Sequence, residues 1–354
     1  MRRIIAVVGL VGAIAMVVGF ATEPQQAAFS YLTAWAFAMS IAIGALVFLM
    51  IGIAAEARWA IPFQPITESI VRTLPVLAVL FVPIAIASGY LYPWTDPSPA
   101  LEPELAAKVA HRAPYLNLVG WTIRAAIFLV GWSVIAEILV RKRERARALA
   151  AAMFPVIALT LTFATIDWLM SLTPEWYSTI FGLLYWSGGF VAAMSAVALV
   201  ARAAPAPSGA IGRMMFAFLI FWGYMEFSQG IIIWLANKPD EVPWYVARGA
   251  AHWSAVFEVI VVGHFFIPFF ALLSRPLKRR ARVLAIVGGW LVVMHYVDIY
   301  WMVMPVLHAQ LSPHWLDLAA PCAVLGIVIT VALARRRPPI SDDALARAAT
   351  YEGS

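Results

Sequence analysis

The chain has 354 residues, 63% of them hydrophobic and only 12% charged, with a mean hydropathy of +0.85. A water-exposed surface needs more charge than that, which excludes a soluble domain and leaves an integral membrane protein. The formal charge of +6 is therefore read by its position relative to the spans, not as a nucleic-acid footprint.

A bilayer crossing takes about 20 apolar residues, so the length allows roughly ten helices joined by short loops. Apolar stretches bounded by charge place them at 4–20, 29–55, 71–93, 115–140, 146–170, 176–201, 211–236, 245–274, 283–305 and 317–334. The stretches are apolar all round and do not alternate every second residue, which excludes a β-barrel and predicts an all-α membrane fold. The first follows Arg2 and Arg3 like a secretory leader, yet it reaches Glu23 without a small-x-small cleavage site and is read as a membrane helix. Beyond Arg335 the chain turns polar, with Pro338 and Pro339, and predicts a loose tail with a short helix near 342–349.

Alternate loops carry very different charge. One side holds Arg2, Arg3, Arg58, Arg72, the 141–147 run, Arg202, Arg213, the 275–282 run, Arg335 to Arg337 and Arg347, which is 20 of the 25 Lys and Arg residues. The other holds Lys108, Arg112, Lys238 and Arg248, and Arg124 lies inside a span. Positive loops face the cytoplasm, so both termini are expected there. Trp94, Trp176, Trp244, Trp253 and Trp315 fall near the opposite ends of the helices, where indole rings favour the headgroup level. The loops on that side, 94–114 and 237–244, are rich in proline and suit docking by a partner.

Setting aside the first and last helices leaves two sets of four. Each has its most basic loop between its third and fourth helices. Each fourth helix carries an aspartate followed by tryptophan and methionine: Asp167, Trp168 and Met170, then Asp298, Trp301 and Met302. The expected organisation is a first helix and loop at 1–28, four-helix bundles at 29–170 and 171–305, a last helix at 306–334 and a tail at 335–354.

Charge inside a span costs several kcal/mol unless it is paired or hydrated, so each such residue is a functional candidate. Glu226, Glu258, His264, His295 and Asp298 fall on three successive helices and are expected to form a proton-conducting ladder; the competing reading is buried pairs that fix helix packing. His295 and Asp298 are three apart and share a helix face. In the first set Arg124 either pairs with a carboxylate or extends outward, and Glu137 suits a pair with the nearby arginines. Asp167, beside Trp168, suits equally a base for a quinol hydroxyl and a hydrogen-bonding anchor at a helix end. The single cysteine, Cys322, excludes a disulfide framework, a Cys-ligated iron–sulfur cluster and covalent haem attachment through two thiols. Haem between His264 and His295 is not expected, because their depths differ by about half a leaflet on this helix assignment.

The stretch 167–182, beginning Asp-Trp-Leu-Met-Ser-Leu-Thr-Pro-Glu-Trp-Tyr, is followed by Phe-Trp-Gly-Tyr-Met-Glu-Phe-Ser-Gln at 221–229, Trp-Leu-Ala-Asn at 234–237, His-Phe-Phe-Ile-Pro at 264–268 and the segment 295–304. In that order these motifs resemble the F-type membrane subunit of alternative complex III, within the NrfD or polysulfide-reductase membrane-subunit family. The resemblance covers about 150–305, and the first 140 residues match it in layout alone. It implies ten helices in two four-helix bundles and a place in the bacterial inner membrane. It also implies a quinol-oxidising complex whose iron–sulfur, haem c and sister membrane subunits carry the electrons. Asp167 and Trp168 are the quinone-site candidates on that reading. The alternatives are a silent scaffold of the same complex and a secondary transporter; the latter is disfavoured because Pro75 and Pro83 have no counterparts in the seventh helix.

Overall fold

The computed structural model describes residues 2–95, 103–142, 146–201, 208–237 and 242–336. Pro97, Pro99 and Pro239 of the docking loops and the tail helix expected near 342–349 lie outside them. Among the described residues the protein is helical with no strand. Ten helices are long and apolar enough to cross a membrane: α1 (Arg2–Thr22), α2 (Pro24–Ala54), α3 (Arg58–Ile86), α4 (Leu118–Arg141), α5 (Arg147–Leu172), α6 (Phe181–Ala201), α7 (Gly209–Ala236), α8 (Trp253–Leu273), α9 (Ala281–Val306) and α10 (Leu316–Ala334).

The two most enclosed helices, α2 and α6, pack directly on each other. Two glycines let their backbones meet: a Cβ on Gly44 would lie 2.5 Å from the Gly189 carbonyl oxygen, and one on Gly189 would lie 2.8 Å from that of Ser40. Close approach of this kind lets membrane helices associate through backbone packing, since lipid supplies no hydrophobic drive between them. Helix α3 contacts α2 and α4, α4 contacts α5, and α5 returns to α2; α7 contacts α6 and α8, α8 contacts α9, and α9 returns to α6.

Helix α1 touches the rest mainly through a glycine face against α10. A Cβ on Gly12 would fall 2.4 Å from the Ala323 backbone nitrogen, and one on Gly326 would fall 2.3 Å from the Gly9 Cα. Gly12→Leu is therefore expected to pry the two helices apart and to cost about 1–3 kcal/mol or more, read as a lower melting temperature and faster proteolysis in detergent. An unchanged melt would contradict this packing.

Helix α3 departs from the expected uninterrupted 71–93 helix. It starts earlier, at Arg58, and is broken near Arg72, Leu80 and Ala87. Pro62, Pro65, Pro75 and Pro83 remove ladder donors along it. Side chains of α2 capture carbonyls at the breaks: Trp35 Nε1 donates to Leu77 O at 2.8 Å and the Tyr31 hydroxyl to Leu80 O at 2.9 Å. A second correction concerns the expected tryptophan anchors. Trp94, Trp176, Trp244 and Trp253 are buried in the protein and Trp315 alone is exposed. Aromatic stacking draws the rings inward, as with Trp176 on Trp244 at 4.6 Å between centroids.

Candidate functional site

Three aspartates in the described residues are almost completely buried, and their surroundings differ. Asp317, at the start of α10, accepts from Gln26 Nε2 (3.1 Å), the Ser30 hydroxyl (2.6 Å), the Tyr300 hydroxyl (3.0 Å) and the His314 backbone N–H (2.8 Å). Asp167 on α5 is held by a two-point pair with Arg124 of α4, at 2.7 Å from Nε and 2.9 Å from Nη2. Such a fork satisfies both oxygens. Asp298 on α9 is the exception: among the described residues no donor lies within hydrogen-bond distance of either oxygen.

What Asp298 has nearby are two imidazoles and the indole N–H of Trp222. His264 Nδ1 on α8 lies 4.0 Å from its Oδ2 and His295 Nδ1 lies 3.8 Å away, with all three residues buried. These are ion-pair distances, too long for hydrogen bonds. His295 Nε2 is 2.9 Å from the Ser40 hydroxyl, which donates its own proton to Phe37 O at 2.8 Å. Ser40 is thus left to accept, which assigns a proton to His295 Nε2 and turns Nδ1 toward Asp298. Gly188 makes the room, since a Cβ there would come within 2.9 Å of the His295 ring.

His264 owes its place to a π-helical turn over Ile260–Phe266. Pro268 explains the turn, because proline has no N–H and its ring crowds the carbonyl four residues back, which is that of His264. The Gly263 carbonyl, which a π-turn would pair with residue 268, instead accepts from Trp290 Nε1 at 2.6 Å. The His264 ring packs on Trp222, with centroids 4.0 Å apart, and neither of its nitrogens has a hydrogen-bond partner. The two imidazoles are also closer than the sequence suggested, with centroids 6.1 Å apart. The reason is where α8 begins: at Trp253, after a separate short helix Val242–Gly249. His264 is therefore about 16 Å along α8 and not about 28 Å, at 1.5 Å per residue.

Glu226 of α7 completes the group. Its Oε1 is buried without a partner, and the charge of Asp298 reaches it. Glu226 also lines a cavity of about 710 Å³ between α7 and α8, walled by Trp222, Phe227, Trp234, Phe257 and Phe265. The fifth residue of the expected ladder does not join. Glu258 is exposed on the outer surface of α8, beside exposed Phe257 and Val259. At 3.6 residues per turn, a separation of six places Glu258 and His264 about 120° apart around the helix, so a shared face was never available.

The first-half candidates form a closed unit. Trp168 packs edge-on against Trp35 at 5.0 Å, Trp121 Nε1 donates to the Asp167 carbonyl at 2.8 Å, and the Tyr92 hydroxyl donates to the Trp168 carbonyl at 3.0 Å. The Arg124 guanidinium also lies 3.9 Å over the Tyr115 ring. A nearby cavity of about 510 Å³ is lined by Arg112, Tyr115, Met170 and Trp176, with Asp167 and Trp168 not part of its wall. Glu137 makes the expected surface pairs, with Arg141 and Arg72.

Sequence reasoning counted Arg248 only as loop charge. It is buried, stacked 3.6 Å over Trp244, and donates to Met302 O at 2.6 Å and Trp244 O at 3.0 Å. Burial pushes this guanidinium down to about 9. Burial likewise pushes the phenols of Tyr92, Tyr115 and Tyr245 above the ordinary value of 10.0. A raised phenol contributes stability that is complete below its unfolded value and is lost as pH rises through it. Arg248 acts oppositely, since its burial penalty eases above about 9. With three phenols against one guanidinium, the melting temperature in detergent is expected to fall above about pH 10; a rise across that range would contradict the burial of these tyrosines.

No protein-family model matches the sequence, and no curated protein matches it.

Proposed function

We propose that this chain is a membrane subunit of a quinol-oxidising electron-transfer complex in which it moves protons while partner subunits, bearing haem and iron–sulfur centres, carry the electrons. The observation that carries the reading is the contrast among the buried aspartates. A protein that satisfies Asp167 with a guanidinium and Asp317 with four donors leaves Asp298 facing two imidazoles, one indole and a second carboxyl group, that of Glu226, whose Oε1 is buried without a partner among the described residues. Unsatisfied ionisable groups are costly at membrane depth and persist where they exchange protons. The relay runs from Ser40 and His295 through Asp298 to His264 and Glu226, each able to hold or pass a proton.

On this reading the ten spans form two four-helix bundles, α2 to α5 and α6 to α9, flanked by α1 and α10, with the arginine-rich end in the cytoplasm of a bacterial inner membrane. The helix contacts and the loop charges support that arrangement. The first bundle then acts as the rigid half, with Asp167 anchored by Arg124 and so poorly placed to serve as a quinol base. The motifs within 167–304 support the choice of complex. Gentle detergent extraction of a tagged chain from its native membranes is expected to recover haem- and iron–sulfur-bearing subunits together with quinol-dependent electron transfer. Recovery of a lone chain, or of partners with no quinol-linked activity, would contradict the proposal.

A further inference from the structure

We infer that the cavity between α7 and α8 is a binding site for a lipid-soluble hydroquinone, an aromatic ring bearing hydroxyls on an apolar chain, with one hydroxyl donating to Glu226; the inference rests on the proposed function for its substrate class. The volume of about 710 Å³ lies within the range of small-molecule sites, and the wall is almost wholly aromatic and aliphatic. The rim residues Tyr224, Phe227 and Trp234 are among the most exposed large side chains of α7, so the mouth opens on the lipid side, the phase in which such a molecule travels. Flat aromatic walls suit a ring by stacking. The acidic group in this wall is the Glu226 carboxyl, whose buried Oε1 has no donor among the described residues. An acyl chain offers it nothing, whereas a hydroxyl supplies the missing proton donor.

The site also joins the relay. Trp222 and Glu226 are four apart on α7 and both line the cavity, and the Trp222 ring also packs on His264. A ligand hydroxyl on Glu226 is therefore one residue away from the Asp298 group. The Asp167 region has no comparable acceptor, because Arg124 occupies both oxygens.

The test uses full-length protein in its native membranes and a benzohydroquinone whose short isoprenoid tail carries a diazirine. Crosslinks are expected within 220–234 and 257–266 and should be displaced by unlabelled hydroquinone. Gly230 lines the cavity with nothing within 4 Å of an added Cβ, so Gly230→Leu fills the space without disturbing the fold. It should cut labelling about ten-fold, and Glu226→Leu should do the same by removing the acceptor. Gly131→Leu, a change into equally open space on α4, should leave labelling unchanged. Labelling at 111–116 and 170–177 would overturn the site. So would labelling that a headless alkyl diazirine reproduces and Gly230→Leu does not affect, as expected if lipid chains or a partner helix fill the cavity. Either result would leave the proton relay standing, since that is read from proton movement. Specific labelling with an inert Asp298→Asn would instead keep the site and remove the relay.

Discussion

Asp298→Asn is expected to reduce proton movement coupled to turnover by about 100-fold or more, while the protein keeps its fold and even gains stability. The two signs come from one cause. Asp298 is buried, and among the described residues no donor lies within hydrogen-bond distance of either oxygen, so an uncharged amide of the same volume relieves a desolvation penalty larger than the longer-range attraction it gives up to His264, His295 and Trp222. The amide cannot release a proton at any accessible pH, so a relay through this position stops. Glu226→Gln should behave alike. Asp317→Asn should not, because four donors converge on that carboxylate, two on each oxygen, and the pair facing the new amide nitrogen lose their acceptor altogether. Vesicles containing the reconstituted complex, a pH-sensitive dye and a melting curve for each variant make the comparison. Loss of stability in Asp298→Asn with proton movement intact would favour a purely structural cluster.

Arg124→Met is the second large effect, and it falls on stability. The Asp167 side chain is 0% exposed and that of Arg124 is 21% exposed, so removing the guanidinium leaves a carboxylate with no counter-charge in the interior. Breaking one side of a buried pair costs about 3–5 kcal/mol. The double change Arg124→Met with Asp167→Leu removes both charges and should restore most of the loss, because two apolar side chains of similar volume pack where the pair stood. Denaturation in mixed micelles reads both. If Arg124→Met retains wild-type stability and instead abolishes quinol turnover, Asp167 is a functional base and the anchoring assigned here is wrong.

Much of this architecture is written in the local sequence. Apolar runs mark the ten helices, though the prolines and Arg72 of α3 hide its start at Arg58, and the three-residue spacing of His295 and Asp298 fixes their common face. The failures arise where a property depends on more than one element. Arg124 and Asp167 are 43 positions apart, so nothing local tells whether the guanidinium turns inward. Asp317 looks like a helix-end residue until α2 and α9 bring Gln26, Ser30 and Tyr300 to it. The depth of His264 was misjudged because Val242–Gly249 is apolar enough to extend α8 on paper, yet it forms a separate helix. The π-turn had a legible signal in Pro268, four residues after His264. The interval of six from Glu258 to His264 likewise sets Glu258 on another face, a matter of helix angle and not of depth.

Infrared difference spectroscopy of the purified protein, stepped through pH and exchanged into heavy water, reads the protons of this cluster. A protonated-carboxyl carbonyl stretch is expected that shifts on deuterium exchange, titrates with pH, and is lost or altered in both Asp298→Asn and Glu226→Gln while persisting in Asp167→Asn. A spectrum with no exchangeable carboxyl band, or one that survives both changes, would contradict a proton relay at this cluster.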